Sequence, residues 1–310
     1  MNESLNQLAE DFFKNSLNTS PTSAIMRGYK EYFDQIEELT DTKFDQNLID
    51  LDKFEKRLNE IDFNNLSSKE KVTYGMLQYA FGSNKDSLLD KSWEFGAGVS
   101  GFTGYLIDYN QQMFIPDLES ADLLLKRLEL YNQFFNQVSA VQKKGLDNNR
   151  VATERNLLRT IDQIQSYLKT SLESDPLLLV NFSPEISEED VNSWKDKAKL
   201  IIESYVRPSV NSYLEQLKSE HLPKGRSDTN PGIMWIDGGE DIYLRSLRKF
   251  TGNKDITVKE VHETGLSEIE RLKKEFFEIG KNVFEDVTTP EEVLYNCLLY
   301  TSDAADELRS

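Results

Sequence analysis

The sequence predicts a mainly α fold built from many helices. Apolar residues recur at alternating spacings of three and four along most of the 310 residues, which is the period of an amphipathic helix. Strict alternation of apolar and polar residues is scarce, and Pro and Gly fall mostly between the periodic stretches. Because no clear linker and no fixed-period repeat interrupts this pattern, we expect residues 1–296 to belong to a single large domain.

Four helices are predicted before residue 93. Their ranges are 5–17, 22–38 and 47–61, followed by a helix that Ser67 or Ser68 caps. The Thr-Ser-Pro run at residues 19–21 separates the first two helices, because Pro interrupts a helix interior. In the fourth helix, Val72, Met76 and Tyr79 are spaced as one apolar face.

Residues 93–116 form the least helical region, which is rich in Gly and aromatic residues. After it, Ser120 starts a long helix for which Gly145 is the predicted C-cap. A further helix repeats the same pattern and ends before Asp175-Pro176. The apolar faces of these two helices are Leu124, Leu128, Tyr131, Phe135 and Val138, and Leu157, Ile161, Ile164, Leu168 and Leu172.

Three more helices are predicted in the last third. Ser187 starts the first, which Pro208 is expected to kink or restart. A loop rich in Gly and Pro covers residues 222–239, with a short strand at 233–236. Thr257 and Glu260 form a capping box for a long helix, and Pro290 opens another. The apolar face of the long helix is Val261, Gly265, Ile269, Leu272, Phe276, Ile279 and Val283, in which Gly265 indicates close approach of another backbone.

Composition excludes several classes of function. The formal net charge is −18, whereas a nucleic-acid-binding surface needs a basic stripe that neutralises phosphates. The same charge argues against an anionic membrane surface as partner. The sequence contains no run of eighteen apolar residues, so no membrane-spanning helix is predicted. One Cys and two His residues exclude a disulfide framework and leave few ligands for a metal site.

The N-terminus lacks the basic and apolar regions of a secretory signal peptide. We therefore expect a cytoplasmic protein if Met1 is the true start. If Met1 is internal to a longer reading frame, we expect an exported protein that has lost its signal peptide.

Two short motifs resemble functional signatures without completing them. Residues Gly96–Gly101 satisfy G-x-G-x-x-G, but a dinucleotide site needs this run between a buried strand and a helix, so a flexible, aromatic-lined loop is the preferred interpretation. His262-Glu263 begins like a zincin helix, but Leu266 stands where the second His is required. We interpret His262 as a scaffold residue that packs or makes a local hydrogen bond, and His221 as a protonated imidazole at a helix C-terminus.

The C-terminal residues have a different origin in our interpretation. Residues 297–307 read CLLYTSDAADE, which closely resembles one reading frame of a widely used transposase-based sequencing adapter. We therefore expect residues 297–310 to be adapter-derived, and the natural sequence to be truncated at this point.

Four segments, in order, resemble the bacterial family catalogued as domain of unknown function 885, which is grouped with helical zinc metallopeptidases. They are Pro21–Gly28, Leu58–Asp62 with Leu66, Gly238–Tyr243, and Ile256–Ile269. In the last, a Thr is followed by a Val-His pair and then by Gly-Leu-x-Glu-Ile, which is similar to the family pattern. The resemblance covers most of residues 1–296.

This resemblance implies a zincin-like helical fold and a full-length enzyme that hydrolyses short peptides with zinc-activated water. The zinc-binding His-Glu-x-x-Pro-Gly-His helix of the family lies beyond Asn296, so no catalytic, metal-binding or cofactor-binding residue is assigned within this chain. We expect the chain itself to be inactive and to hold no zinc. The alternative is a non-catalytic helical binding or scaffold protein. In the full-length protein, the missing part would cover the apolar face of the long helix. Without it, we expect Leu272, Phe276 and Ile279 to be exposed.

Overall fold

Helices build almost the whole of the computed structural model, which describes residues 3–96 and 109–307, with side chains described through residue 299. The predicted mainly α fold class is confirmed. The α-helices, in chain order, are α1 (Glu3–Thr19), α2 (Pro21–Met26), α3 (Asp41–Asn59), α4 (Ser68–Asp90), α5 (Tyr109–Gln112), α6 (Leu118–Asp147), α7 (Glu154–Lys169), α8 (Glu188–Ile201), α9 (Arg207–Gln216), α10 (Gly239–Thr251), α11 (Val258–Gly280) and α12 (Pro290–Glu307).

Strand structure in the described residues is limited to one short parallel pair. β1 (Phe114–Ile115) lies beside β2 (Asn181–Phe182), with Phe114 opposite Asn181. The chain as a whole forms two compact units, Met1–Glu240 and Asp241–Ser310. The expectation of a single domain over residues 1–296 stays a prediction.

The main core of the first unit is built around α6, a helix of 30 residues. Four of the five apolar residues predicted for its face are fully buried, while Val138 is partly buried. Helices α7, α8 and α9 add further residues to this core. Their buried apolar residues include Leu157, Ile161, Ile164, Trp194, Ala198, Val210, Tyr213 and Leu214. Trp194 also donates a hydrogen bond from Nε1 to the carbonyl oxygen of Ala121, at 2.8 Å, so its buried polar atom is satisfied.

A smaller apolar cluster joins α1, α3 and α4 in the same unit. Its fully buried members are Leu5, Leu8, Leu58, Leu66, Leu77 and Phe81. Phe12 packs edge-on against both Phe54 and Phe81, with ring centroids 5.6 and 4.8 Å away. Such pairs add about 0.5–1.5 kcal/mol beyond the burial of their area, so this cluster holds the first helix in place.

Side-chain caps fix the starts of the long helices. Ser67 caps α4 and forms a capping box with Glu70, and Thr257 forms the predicted box with Glu260 at α11. Asp117 caps α6 by accepting from the N–H of Ser120 at 2.8 Å. Hydrogen bonds from Lys30 and Ser120 lower the pKa of Asp117 to about 2, so this cap stays ionised.

Two π-helical turns adjoin α8 and α9. The first, Ile202–Val206, joins the two helices, and the second, Leu217–His221, follows α9. Pro208 has no N–H to give to the carbonyl of Ser204, and the wider turn before it absorbs this loss. The α-helix restarts at Arg207, which is one of the two outcomes predicted for Pro208.

The predicted helix over residues 22–38 is wrong. The helix α2 ends at Met26, and Gly28 follows with a φ of +86°. The N–H of Gly28 donates to Ile25 O at 2.8 Å, and the N–H of Tyr29 donates to Ala24 O at 3.1 Å. This is a Schellman C-cap, which Gly forms readily because the left-handed conformation costs it little.

Several smaller predictions also need correction. Residues 233–236 contain a 3₁₀ turn, Ile233–Trp235, instead of a strand. Gly145 is not the C-cap of α6, because the helix runs on to Asp147. The predicted face of α4 is exposed, with Met76 68% accessible, while Leu77 and Phe81 on the other side are buried. No described atom lies within 4 Å of a Cβ placed on Gly265, so no backbone approaches it.

In the second unit, α11 and α12 cross where Gly280 meets Val293. A Cβ placed on Gly280 would lie 2.4 Å from both methyl carbons of Val293, so only Gly allows this approach. The N–H groups of Lys281 and Phe284 donate to the carbonyl oxygens of Phe277 and Gly280, at 3.0 and 2.9 Å. These contacts fix the turn between the two helices.

Candidate functional site

The zincin-like segment lies in the first turns of α11, where the structure does not assemble a metal site. His262 is exposed, so of the two roles expected for it, packing is wrong, and a local hydrogen bond stays a prediction. Glu263 pairs with Lys259 at 3.6 Å on the helix surface, and Leu266 is 53% exposed. Across residues 3–96 and 109–299, no three His, Cys, Asp or Glu side chains come together as a metal-binding group. The described residues therefore do not fit a zinc site.

His221 lies at the end of the second π-helical turn and is only 2% exposed. Burial lowers its pKa below the ordinary 6.5, although hydrogen bonds to the backbone of Gln216 and Gln142 oppose the effect. Burial thus disfavours the protonated imidazole that we expected at this helix end. Burial in a low-dielectric core outweighs the attraction of the helix dipole here.

We expect His221 to make the protein less stable on the acid side. Because its pKa is lower in the folded chain than in the unfolded chain, the unfolded chain binds a proton first as the pH falls below about 6.5. The free energy of unfolding should therefore fall between about pH 7 and 5, and less steeply in His221→Gln. Urea unfolding followed by circular dichroism measures this slope. His262→Gln, at an exposed position, is the matched control and should keep the parent slope; equal slopes in His221→Gln and the parent would contradict the expectation.

The glycine-rich motif falls largely outside the described residues. Of Gly96–Gly101, the structure describes only Gly96, which follows the 3₁₀ turn Ser92–Glu94. The motif is therefore not preceded by the buried strand that a dinucleotide site requires.

A polar cluster around Arg150 flanks this motif. The Nε of Arg150 lies 3.0 Å from Glu94 Oε2, and its guanidinium carbon lies 5.2 Å from the centre of the Phe95 ring. Arg150 also donates to the backbone carbonyls of Asp90 and Lys91. Since Arg150 and Glu94 are mostly buried and bonded to protein groups, the cluster holds α4 and the end of α6 together and offers no free cation to an anionic ligand.

Two further ionic networks lie inside the first unit. Arg127 is 1% exposed; it donates to Thr22 Oγ1 at 2.6 Å and to the carbonyl oxygen of Gln35. Thr22 in turn donates to Glu37 from its hydroxyl and its N–H, at 2.7 and 2.9 Å. The network ties α6 to the segment after α1, where the sequence pattern had predicted one continuous helix.

The second network centres on Asp175, which is fully buried. Arg207 donates to its Oδ2 from Nη2 and Nε, at 2.9 and 3.2 Å, and the N–H of Leu177 donates to Oδ1 at 3.1 Å. Burial raises the pKa of the neighbouring Tyr167, whose hydroxyl lies 3.5 Å from Asp175. Sequence reasoning missed these arginines, because an isolated Arg in an acidic chain carries no pattern.

A polar cavity of about 580 Å³ lies at the N-terminal end of the first unit. Its lining includes Glu3, Gln7, Arg57 and Glu60. Arg57 donates to Asp11 at 2.8 Å, so the positive charge of this cavity is already paired.

An apolar groove of about 680 Å³ opens on the second unit. Its apolar lining is Ile269, Leu272, Phe276 and Ile279 from α11 and Leu294 from α12. Leu272 and Ile279 are 52% and 58% exposed, so the apolar face predicted for this helix is open to solvent. Exposed patches of this kind mark interaction sites. We call these five residues the α11–α12 groove and take it as the candidate functional surface.

No helix in the described part of the chain combines the length and apolar character needed to cross a bilayer.

Comparison with solved structures places the fold. The crystal structure of a putative lipoprotein from Colwellia psychrerythraea matches with a TM-score of 0.73 over 94% of this chain, at 16% sequence identity. The match covers 53% of the Colwellia chain, so this chain spans about half the length of that protein. At this identity the likeness shows a shared fold alone. No curated protein matched the chain significantly.

A family model identifies the chain more directly. The model described as bacterial protein of unknown function, DUF885, matches residues 21–305. The match includes residues 297–305, and the adapter origin of residues 297–310 stays a prediction. The resemblance noted in the sequence is confirmed at the level of the family, and the chain belongs to the bacterial DUF885 family.

Proposed function

We propose that this chain is the N-terminal helical part of a zinc-dependent peptidase that acts on short peptides. The observation that carries the proposal is the family match over residues 21–305, because the resemblance to this family implies a helical metallopeptidase. The chain spans about half the length of the Colwellia protein, which leaves room in a longer protein for the metal-binding helix.

In this proposal the described residues build and stiffen a framework. We assign the metal ligands to sequence beyond this region, because the family resemblance places the zinc-binding helix after Asn296. When bound, zinc supplies a polarised water for peptide hydrolysis. The buried networks of Arg127 and Asp175 contribute by holding α6, α7 and α9 in fixed positions, as a preorganised site requires.

Zinc content and peptide hydrolysis test the proposal together. We expect the 310-residue chain to retain less than stoichiometric zinc after gel filtration, as measured by plasma mass spectrometry, and to cleave none of a set of quenched fluorescent short peptides. The longer product of the same gene should hold one zinc and cleave such peptides until a zinc chelator is added. Tight stoichiometric zinc in the 310-residue chain would contradict this division of roles.

A non-catalytic helical binding protein is the second candidate function. The open α11–α12 groove favours it, because an exposed apolar groove is suited to holding an amphipathic helix. A longer gene product that has neither zinc nor hydrolytic activity would support this alternative.

The location of the protein is also a proposal. The Colwellia protein is described as a putative lipoprotein, and this description supports export over a cytoplasmic location. Reading the gene upstream of Met1 for a signal peptide distinguishes the two.

A further inference from the structure

We infer that the α11–α12 groove is the docking face for an amphipathic helix from the part of the polypeptide that follows this region in the longer protein. The inference rests on the proposal that the chain is the N-terminal part of such a protein. It adds the place where the two parts meet and the kind of segment that binds there.

Apolar side chains form a continuous exposed face along α11. Its groove residues Ile269, Leu272, Phe276 and Ile279 follow one another at spacings of three and four, and Leu266, three positions earlier, extends the same exposed face. This spacing puts them on one face of α11 along four turns. A helix with apolar residues at matching positions would cover the face by the helix-in-groove mode.

The walls of the groove are already in place. The contact of Gly280 with Val293 sets the crossing of the two helices, and Leu294 enters the groove from the next position on α12. A preformed groove loses little conformational entropy when a partner binds.

Charged side chains at the rim leave the apolar lining clear. Arg271 donates to Glu268 at 2.9 Å and to Glu275 at 2.7 Å, along its own helix. These bonds pair the charges of Arg271, Glu268 and Glu275 within α11, so the incoming helix needs to supply mainly apolar contacts in the centre.

The length of the Colwellia protein indicates which segment binds in the groove. Just under half of the Colwellia chain lies outside the region that matches, whereas 94% of this chain lies inside it. A longer protein of comparable length has further elements whose apolar faces must be buried. We therefore assign the groove to that continuing segment and not to a second copy of this chain.

Hydroxyl-radical footprinting tests the assignment on intact proteins. The uninterrupted gene is recovered from the source genome, and its product is compared with the 310-residue chain. In the short chain, Leu272 and Phe276 should be labelled as exposed residues. In the longer protein, their labelling should fall to the level of the buried Phe135.

Paired variants give a second readout. Leu272→Glu with Phe276→Glu should leave thermal unfolding of the short chain unchanged and lower the unfolding temperature of the longer protein by at least about 5 °C. The matched control is Val72→Glu with Met76→Glu, an exposed apolar pair at the same spacing on α4. We expect this pair to leave both proteins unchanged; an equal loss in the longer protein would overturn the assignment to the groove.

Other occupants give different outcomes. Protection of Leu272 and Phe276 already in a monomeric 310-residue chain, or only in a dimer seen by light scattering, would overturn the inference. A gene that stops directly after this region would also overturn it. A protected groove in a longer protein without zinc or hydrolysis would leave this inference standing and remove the proposed peptidase function.

Discussion

Replacing Asp175 by Ala is expected to lower the free energy of unfolding by about 3–5 kcal/mol. The substitution leaves the guanidinium of Arg207, which is 18% exposed, without its carboxylate partner. The N–H of Leu177, which also bonds to Asp175, loses its acceptor in the buried interior. An unpaired buried charge costs more than the original pair contributed, because nothing replaces its lost hydration. Urea unfolding followed by circular dichroism at 222 nm measures the change.

The chain offers two controls for this effect. Arg155 and Asp228 form a pair of similar length, 2.7 Å, but their side chains are 64% and 46% exposed, so Asp228→Ala should cost at most about 1 kcal/mol. Replacing both partners, as Asp175→Leu with Arg207→Met, should recover much of the lost stability because no charge is then left unpaired. Equal losses for Asp175→Ala and Asp228→Ala would contradict the interpretation of this pair as a buried network.

The long helices were predictable because their patterns are redundant. On α6 and α7 the apolar residues repeat over several turns, and packing buries that same face. Caps were predictable for a related reason, since Thr257 and Glu260 satisfy each other locally without help from the rest of the fold.

The sequence-based predictions were wrong where the local pattern is compatible with more than one packing arrangement. On α4, apolar residues occupy both sides, and periodicity alone did not indicate that Leu77 would be buried while Met76 stays exposed. In the segment after α1, the end of α2 was missed although Gly28 is a typical C-cap residue. Apolar residues continue at helical spacing past Gly28, as Tyr29, Tyr32, Phe33 and Ile36, so periodicity alone does not indicate the end of α2.

The candidate site was only partly predictable. The sequence indicated that Leu272, Phe276 and Ile279 would be exposed without further helices, and they are exposed. It did not indicate the second wall of the groove, because Leu294 enters only once the turn at Gly280 brings α12 against α11. The sequence did not predict the Arg150 cluster either, because its partners Glu94 and Asp90 lie some sixty residues away along the chain.

Replacing Gly145 by Ala is expected to destabilise the first unit strongly. A Cβ at this position would lie 2.1 Å from the carbonyl oxygen of Glu94 and 2.9 Å from that of Arg150. Both are backbone atoms, held by the Arg150–Glu94 ion pair and the end of α6, so neither moves without disturbing that cluster. We expect a loss at or above the upper end of the about 1–3 kcal/mol that overpacking usually costs.

Two other helical glycines test whether space is the cause. Apart from the nearby backbone of α4 itself, no described atom lies within 4 Å of a Cβ placed on Gly75 or Gly82, both in α4. Because Ala favours a helix over Gly by about 0.5–1 kcal/mol, Gly75→Ala and Gly82→Ala should stabilise the chain slightly. The sign of the change should therefore reverse between α4 and position 145, as measured by urea unfolding. If Gly145→Ala were also stabilising, the close approach of Glu94 to α6 would be wrong, and with it the packing that positions the Arg150 cluster.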